Sequence, residues 1–363
     1  MPTSPEPIEA VSQRLDKFLS EQLSYASALG PEAESLTRAG ASALRGGKRL
    51  RARFCLAGWR AVDALDAPSA AAFDEPALAV ATSLEIFHAA ALVHDDLVDN
   101  SDTRRGQPAA HRALQKAHQD AEWAGDSDAF GRSGAILLGD LLVAWSDDLL
   151  EEGLEDHPSA AATRRAYSRM RRDVTIGQFL DVAEESAYTV YPDDTHAERA
   201  LRIASYKSAR YSIQQPLQIG AALAGADDEQ LDALGRFGHD VGMAFQLRDD
   251  VLGVFGDSAV TGKPVGDDLR EGKRTVLVAY AREMLGSAER DRFDALLGDP
   301  ALDAEQIAAL QQTIVDTRAL ERTETLIAEY AERADAALAD ARVDTGALTD
   351  LRALARAATE RTA

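Results

Sequence analysis

Cysteine occurs once in this 363-residue chain, at Cys55, so no intrachain disulfide can brace the fold. That usage suits a reducing cytoplasm, with Cys55 read as a packed core thiol rather than a catalytic one. Aromatic residues make up only 6% of the chain, and no stretch repeats the apolar–polar alternation of half-buried strands. Cations are few: 39 Lys and Arg against 61 Asp and Glu leave a formal charge of −22. Such a surface repels nucleic acid and anionic membrane alike, which excludes both as main partners. Arg, Asp or His interrupts each apolar run before it reaches the roughly 20 residues of a spanning helix, and no signal peptide is legible. Stable membrane insertion is therefore not expected, and a cytoplasmic location is.

What is abundant forms helices. Ala, Leu, Glu, Asp and Arg dominate, which predicts an all-α chain, long enough to bury a full core. Residues 1–8 and 358–363 read as disordered tails. Between them, Gln119 to Gly134 reads as a surface loop from its Asp, Gly and Ser content, and Tyr188 to His196 as a polar loop.

The chemistry concentrates in a few stretches. Leu84 to Gly106 (LEIFHAAALVHDDLVDNSDTRRG) is an apolar helical run ending in an acidic cluster and two arginines. Spacing places Asp95 and Asp99 on one helix face with Asp96 beside them, and Asp102 a turn further on if the helix continues. Carboxylates so close repel unless water screens them or a divalent cation sits between them, and hard oxygen ligands suit Mg²⁺. The preceding turns are apolar nearly all round, which favours a buried helix over a solvated acidic face. Leu234 to Phe255 repeats the pattern, with Gln246, Asp249 and Asp250 following an apolar stretch.

Cations that cluster in an acidic chain are informative. Arg45 to Arg51 (RGGKRLR) sets a glycine pair before a helix start, a place for a phosphate group if it is more than a basic turn. Gln178 and Asp181 share a helix face at i,i+3, and Lys207 lies among small residues, as a ligand or as a snorkelling surface side chain. Thr261 to Arg274 is a Gly-rich loop carrying Lys263 and Lys273.

From Gly46 to Arg274 the order GGKRLR, HDDLVDNSDTRRG, GQFLD, Lys207-Ser208, FQLRDD and GKPVGDD with EGKRT resembles the trans-isoprenyl diphosphate synthases. The resemblance implies a single helical-bundle domain over 1–363 with a central cleft. It also implies condensation of isopentenyl diphosphate with an allylic diphosphate. On it, Asp95 and Asp99 bind two Mg²⁺ and Asp249 a third, with Asp96 and Asp250 completing the acidic sets. Arg104, Lys207 and Lys263 hold the allylic diphosphate; Gly47, Lys48, Arg51, His88 and Arg105 hold isopentenyl diphosphate. Lys273 also belongs to the substrate-binding set, and Gln178, Asp181, Ser208 and Gln246 line the reacting end. The catalytic set is Asp95, Asp99, Arg104, Lys207, Gln246 and Asp249.

Two positions depart from that pattern: Gly253 stands where the family commonly has Asp, with Asp257 a candidate substitute, and Ser208 stands where it has Thr. A homodimer is implied as well. Product length is expected to depend on the helix before Asp95, where Ala91 and Ala90 are small and Phe87, about 4.5 Å deeper at 1.5 Å rise per residue, would form the floor. A C20 product, geranylgeranyl diphosphate, is expected, with C25 or longer as the alternative. A terpene cyclase would leave Lys48, Arg51 and Arg105 idle, a metal phosphohydrolase would want more His, and a silent subunit would not keep both acidic motifs.

Overall fold

The computed structural model describes residues 7–65, 73–256, 265–339 and 341–359. The all-α expectation holds. Among the described residues the strands are a single two-residue pair, Thr103–Arg104 with Gln107–Pro108. The chain divides into two compact units, Met1–Ala161 and Ala162–Ala363.

The first unit contains α1 (Pro7–Ser27), α2 (Pro31–Ala43), α3 (Leu50–Asp63), α4 (Glu75–Val98), α5 (Ala110–Asp120) and α6 (Ser127–Leu154). Pro7 and Ile8, assigned to a disordered start, belong to α1, because a proline in the first turn forfeits an N–H that has no partner there anyway. At the other end, Ala358 and Thr359 likewise fall in a helix, Thr345–Thr359. Helix α4 starts behind Asp74, whose side chain accepts the Ala77 N–H at 2.8 Å, a cap that contributes about 1 kcal/mol. It buries Val80, Leu84, Ile86 and Ala90 around its circumference and packs chiefly on α6.

Contrary to the sequence reading, α4 is long and apolar enough to cross a membrane by length and composition. Yet 72% of that window is buried inside the protein, and the centre of a helical bundle asks for the same all-round apolar surface as a bilayer. The expected loop 119–134 also shortens. Asp126 caps α6 by accepting from Asp128 and Ala129 N–H at 2.9 and 3.2 Å. Gly131 and Gly134 mark close approach to α5 instead of a break: a Cβ at Gly131 would meet Gln115 N at 3.0 Å.

The second unit is organised on α10 (Asp228–Phe255), capped by Asp227 and Gln230 in a reciprocal pair at 2.9 Å each way. Against it pack a π-helical segment Ala204–Gln214, α9 (Gln215–Leu223) and the helix Ala319–Ala337, while α8 (His196–Ile203) and α7 (Ala160–Ala187, at Gly177) meet the π-helical segment. Gly238 admits the π-helical segment, since a Cβ there would lie 2.7 Å from Gln214 Cα. The expected polar loop at 188–196 is partly core: Tyr188 is buried and its hydroxyl donates to Asp294 Oδ1 at 2.8 Å.

Candidate active site

In the first unit, α4 ends at Val98 and Asp99 closes it, its N–H donating to Asp95 O at 2.8 Å. Asp95 and Asp99 therefore lie one turn apart, as their spacing predicts. The helix does not continue to Asp102, whose carboxylate instead accepts from Arg112 Nε at 2.7 Å. A helix C-terminus carries the negative end of the macrodipole, so carboxylates there need a cation. Part of that charge comes from Arg104, which donates Nε–H to Asp96 Oδ1 at 2.9 Å and stands 3.6 Å from Asp95 Oδ2. Burial pushes the Asp96 carboxyl up from its usual range while Arg104 opposes the shift. For Mg²⁺, Asp95 and Asp99 fit the usual pattern of one or two carboxylates completed by phosphate and water oxygens. Among the described residues no group of three or more His, Cys, Asp or Glu forms a cage by itself.

A second, differently charged place lies beside it. The short hairpin turns through Arg105 (φ 54) and Gly106 (φ 73), the left-handed pair that two-residue hairpins favour. While Arg104 goes to Asp96, Arg105 donates Nη1–H to Arg45 O at 3.0 Å and lies against Gly47, where a Cβ would be 3.0 Å from Arg105 Nη2. Gly47 also sits at φ +89, so the glycine is required twice over. Burial, then Arg51, Arg105, Arg104 and Arg49, hold the His88 imidazole well below its usual range. Burial and the neighbouring Arg49 and Arg104 likewise lower Arg105. Several guanidiniums thus surround one buried imidazole. A small pocket here is lined by Leu44, Gly46, Arg49, Glu85, His88 and Arg105 with three small or apolar neighbours, and Lys48 is exposed on the same loop.

Glu85 was missed from sequence. Buried one turn before His88, it accepts the Ala52 N–H at 3.0 Å and lies 3.7 Å from Arg49 Nη1. Arg49, the residue before α3, makes no side-chain cap, so a carboxylate from α4 caps α3 instead. The available signal was a lone acid inside an apolar run.

In the second unit, Gln246 donates to Asp250 Oδ1 at 2.7 Å across one turn of α10, Asp250 is buried, and Asp249 is exposed. Burial, then Asp268 and Asp249, push the Asp250 carboxyl up to about 8. Asp181 on α7 is paired with Lys207, so Lys207 is an ion-paired side chain and not a snorkelling one. Gly177 permits this, since any Cβ there would overlap the Lys207 backbone. Gln178 and Ser208 are half-buried nearby in sequence. Lys273 Nζ donates to Asp268 Oδ1 at 2.9 Å and pairs with Glu271 Oε2 at 2.8 Å. Lys263 and Asp257 lie outside the described residues. Along α4, Ala90 is fully buried in the first unit's core, Phe87 is buried and Ala91 half-buried.

Each unit thus carries an acidic helix face, and the first also a cluster of cations. A polyprenyl synthetase family model matches residues 33–314, and the chain belongs to that family. It is a prenyltransferase, as the family's members are. The chain is 40% identical to a geranylgeranyl pyrophosphate synthase from Corynebacterium glutamicum solved with isoprenyl diphosphate and magnesium, at a TM-score of 0.89 over 98% of both chains. It is 34% identical over 292 residues to a geranylfarnesyl diphosphate synthase of Aeropyrum pernix, which spans 80% of this chain and 82% of that one. A geranylgeranyl diphosphate synthase of Mycobacterium tuberculosis is 36% identical over 234 residues, 64% of this chain and 60% of that one.

Proposed function

We propose that the chain condenses isopentenyl diphosphate with an allylic diphosphate, head to tail and in trans geometry, to give geranylgeranyl diphosphate. The observation that carries this reading is the pairing, within one unit, of an acidic helix end at Asp95 and Asp99 with a metal-free cation cluster at Gly47, Arg51, His88 and Arg105. An enzyme with two diphosphates to hold has use for both places; a cyclase has use for one.

In this reading Asp95 and Asp99 hold two Mg²⁺ and Asp249 a third, with Asp96 and Asp250 behind them. Bound Mg²⁺ supplies positive charge against the leaving diphosphate as the allylic C–O bond ionises. Arg104, Lys207 and Lys263 bind the same diphosphate directly, and Lys273 belongs to the wider substrate-binding set. Gly47, Lys48, Arg51, His88 and Arg105 orient isopentenyl diphosphate, whose double bond attacks the allylic carbon. Gln178, Asp181, Ser208 and Gln246 line the reacting end. The released diphosphate takes the proton, so no side-chain base is needed.

We read both units as one synthase domain acting as a cytoplasmic homodimer, without membrane insertion or nucleic acid. Sedimentation at the 38.9 kDa monomer mass alone would refute the dimer. Incubation with isopentenyl diphosphate, an allylic diphosphate and Mg²⁺, with and without EDTA, tests the activity. A chain-extended product that disappears with EDTA is expected; no extension with any allylic primer would overturn the proposal. A C25 main product, as the Aeropyrum name suggests, would keep the reaction and correct the length.

A further inference from the structure

Between the end of α4 and the start of α5, Arg104 and Arg105 are presented by a hairpin too small to hold itself. Each strand has two residues, and an isolated hairpin of even ordinary length is marginal in water. The turn is also strained, because Arg105 sits at φ 54, where Asn, Asp or Gly is usual. A non-glycine residue in that region persists only where its surroundings dictate the conformation. The bond from Arg105 Nη1 to Arg45 O fixes the far end of that side chain and leaves the base of the hairpin to be held otherwise.

The base is held from α5 and α6. Asp102 O accepts the Ala109 N–H at 2.9 Å, closing the chain across the hairpin, and Asp102 Oδ1 accepts Arg112 Nε–H at 2.7 Å. The buried His111 ring lies 3.5 Å from the same oxygen. Arg112 then reaches on, its Nη1 donating to Gln115 Oε1 at 2.9 Å and, at 2.7 Å, to Asp128 Oδ1 in the first turn of α6. One turn further along α6, Arg132 Nη1 donates to Asn100 Oδ1 at 3.4 Å, and Asn100 is itself left-handed at φ 51. Asp128 and Arg132 are four apart and share one face of α6. Asn100 and Asp102, which lead from Asp99 into the hairpin, are thus both tied to that face.

We infer that Arg112, bridging Asp102 to Asp128, is a positioning residue that sets Arg104 and Arg105 toward their two substrates. The bridge asks for a guanidinium, whose rigid fork reaches two carboxylates at once; an ammonium is a point donor that cannot hold both in fixed geometry. Since one hairpin carries both arginines, loss of the bridge is felt at both diphosphate places together. The inference rests on the proposed function only for the assignment of a diphosphate to each arginine.

The experiment compares the full-length wild type with Arg112→Lys, Arg112→Ala and Asp128→Asn. The readouts are calorimetric affinity for inorganic diphosphate, in Mg²⁺ and in EDTA, hydrogen exchange at the Ala109 amide, and thermal melting. Melting should stay close to wild type, because these ion pairs are largely exposed and contribute little to global stability. Arg112→Ala and Arg112→Lys should each weaken diphosphate binding about fivefold in both conditions and speed exchange at Ala109, as the loss of roughly one weak bridging pair implies. Asp128→Asn should weaken both about threefold, although removing a negative charge would by itself tighten anion binding. Wild-type affinity in Arg112→Lys, or unchanged or tighter binding in Asp128→Asn, would reduce Arg112 to a nearby charge and overturn the inference. A loss confined to one of the two conditions would overturn it as well. If the wild type binds diphosphate in neither condition, the proposed function fails and this inference with it; if the wild type binds and the variants match it, this inference alone fails.

Discussion

The Arg104 guanidinium donates Nε–H to Asp96 Oδ1 at 2.9 Å while standing 3.6 Å from Asp95 Oδ2, so neighbouring carboxylates on α4 do different work. Asp96 is buried and anchors the arginine; Asp95 remains part-exposed at the helix end. Adjacent residues on a helix point about 100° apart, and that divergence separates the roles.

Replacing the two should give separable phenotypes. Asp95→Ala is expected to lower kcat by about three orders of magnitude and to raise the Mg²⁺ concentration needed for half activity. Asp96→Asn should leave the Mg²⁺ requirement near wild type and raise KM for the allylic diphosphate about tenfold, by releasing Arg104, at the ~1.4 kcal/mol typical of one charge-assisted hydrogen bond. Mg²⁺ titrations of initial rate on both variants decide, and identical Mg²⁺ shifts would refute the division.

Glu85 joins α4 to the first turn of α3, and therefore to the loop that carries Gly47 and Lys48. Glu85→Gln keeps the shape but loses the charge facing Arg49, and should cost about 1–3 kcal/mol of stability as a buried partner is weakened. KM for isopentenyl diphosphate should rise in parallel with that of Lys48→Ala, with KM for the allylic substrate little changed. Equal rises for both substrates would place this loop elsewhere in the reaction.

Product length gives a test along α4. Ala90 is fully buried in the packed core, so Ala90→Phe would overpack it at about 1–3 kcal/mol. The half-buried Ala91 is the better place for a bulky residue, and Ala91→Phe should shorten the main product. Phe87→Ala should lengthen it by one isoprene unit. Chromatography of the products that shows neither change would mean that this helix face does not line the growing chain.

Cys55 is buried within α3, and desolvation pushes its thiol far above the ordinary range. Only the thiolate reacts with alkylating agents, so raising the pH to 9 should leave folded Cys55 unmodified while the unfolded chain is labelled at once. Mass spectrometry after iodoacetamide treatment, with and without denaturant, reads the difference. Fast labelling of the native enzyme would show that this helix opens readily.

The spacing of Asp95 and Asp99, the glycine pair at Gly46–Gly47 and the all-α class were legible in the sequence because each depends on local periodicity or on the backbone freedom of one residue. Locality also explains the errors. Gly131 and Gly134 resemble loop residues in a one-dimensional reading, yet they are helical because α5 lies against them. Likewise, the apolar run of α4 carries no mark of whether lipid or protein will surround it. The partners of Asp96, Glu85 and Asp102 are Arg104, Ala52 and Arg112, and only the closed fold chose them. Helical period determines which side chains share a face, but which face meets which depends on how distant segments pack, and a carboxylate's role follows from that meeting.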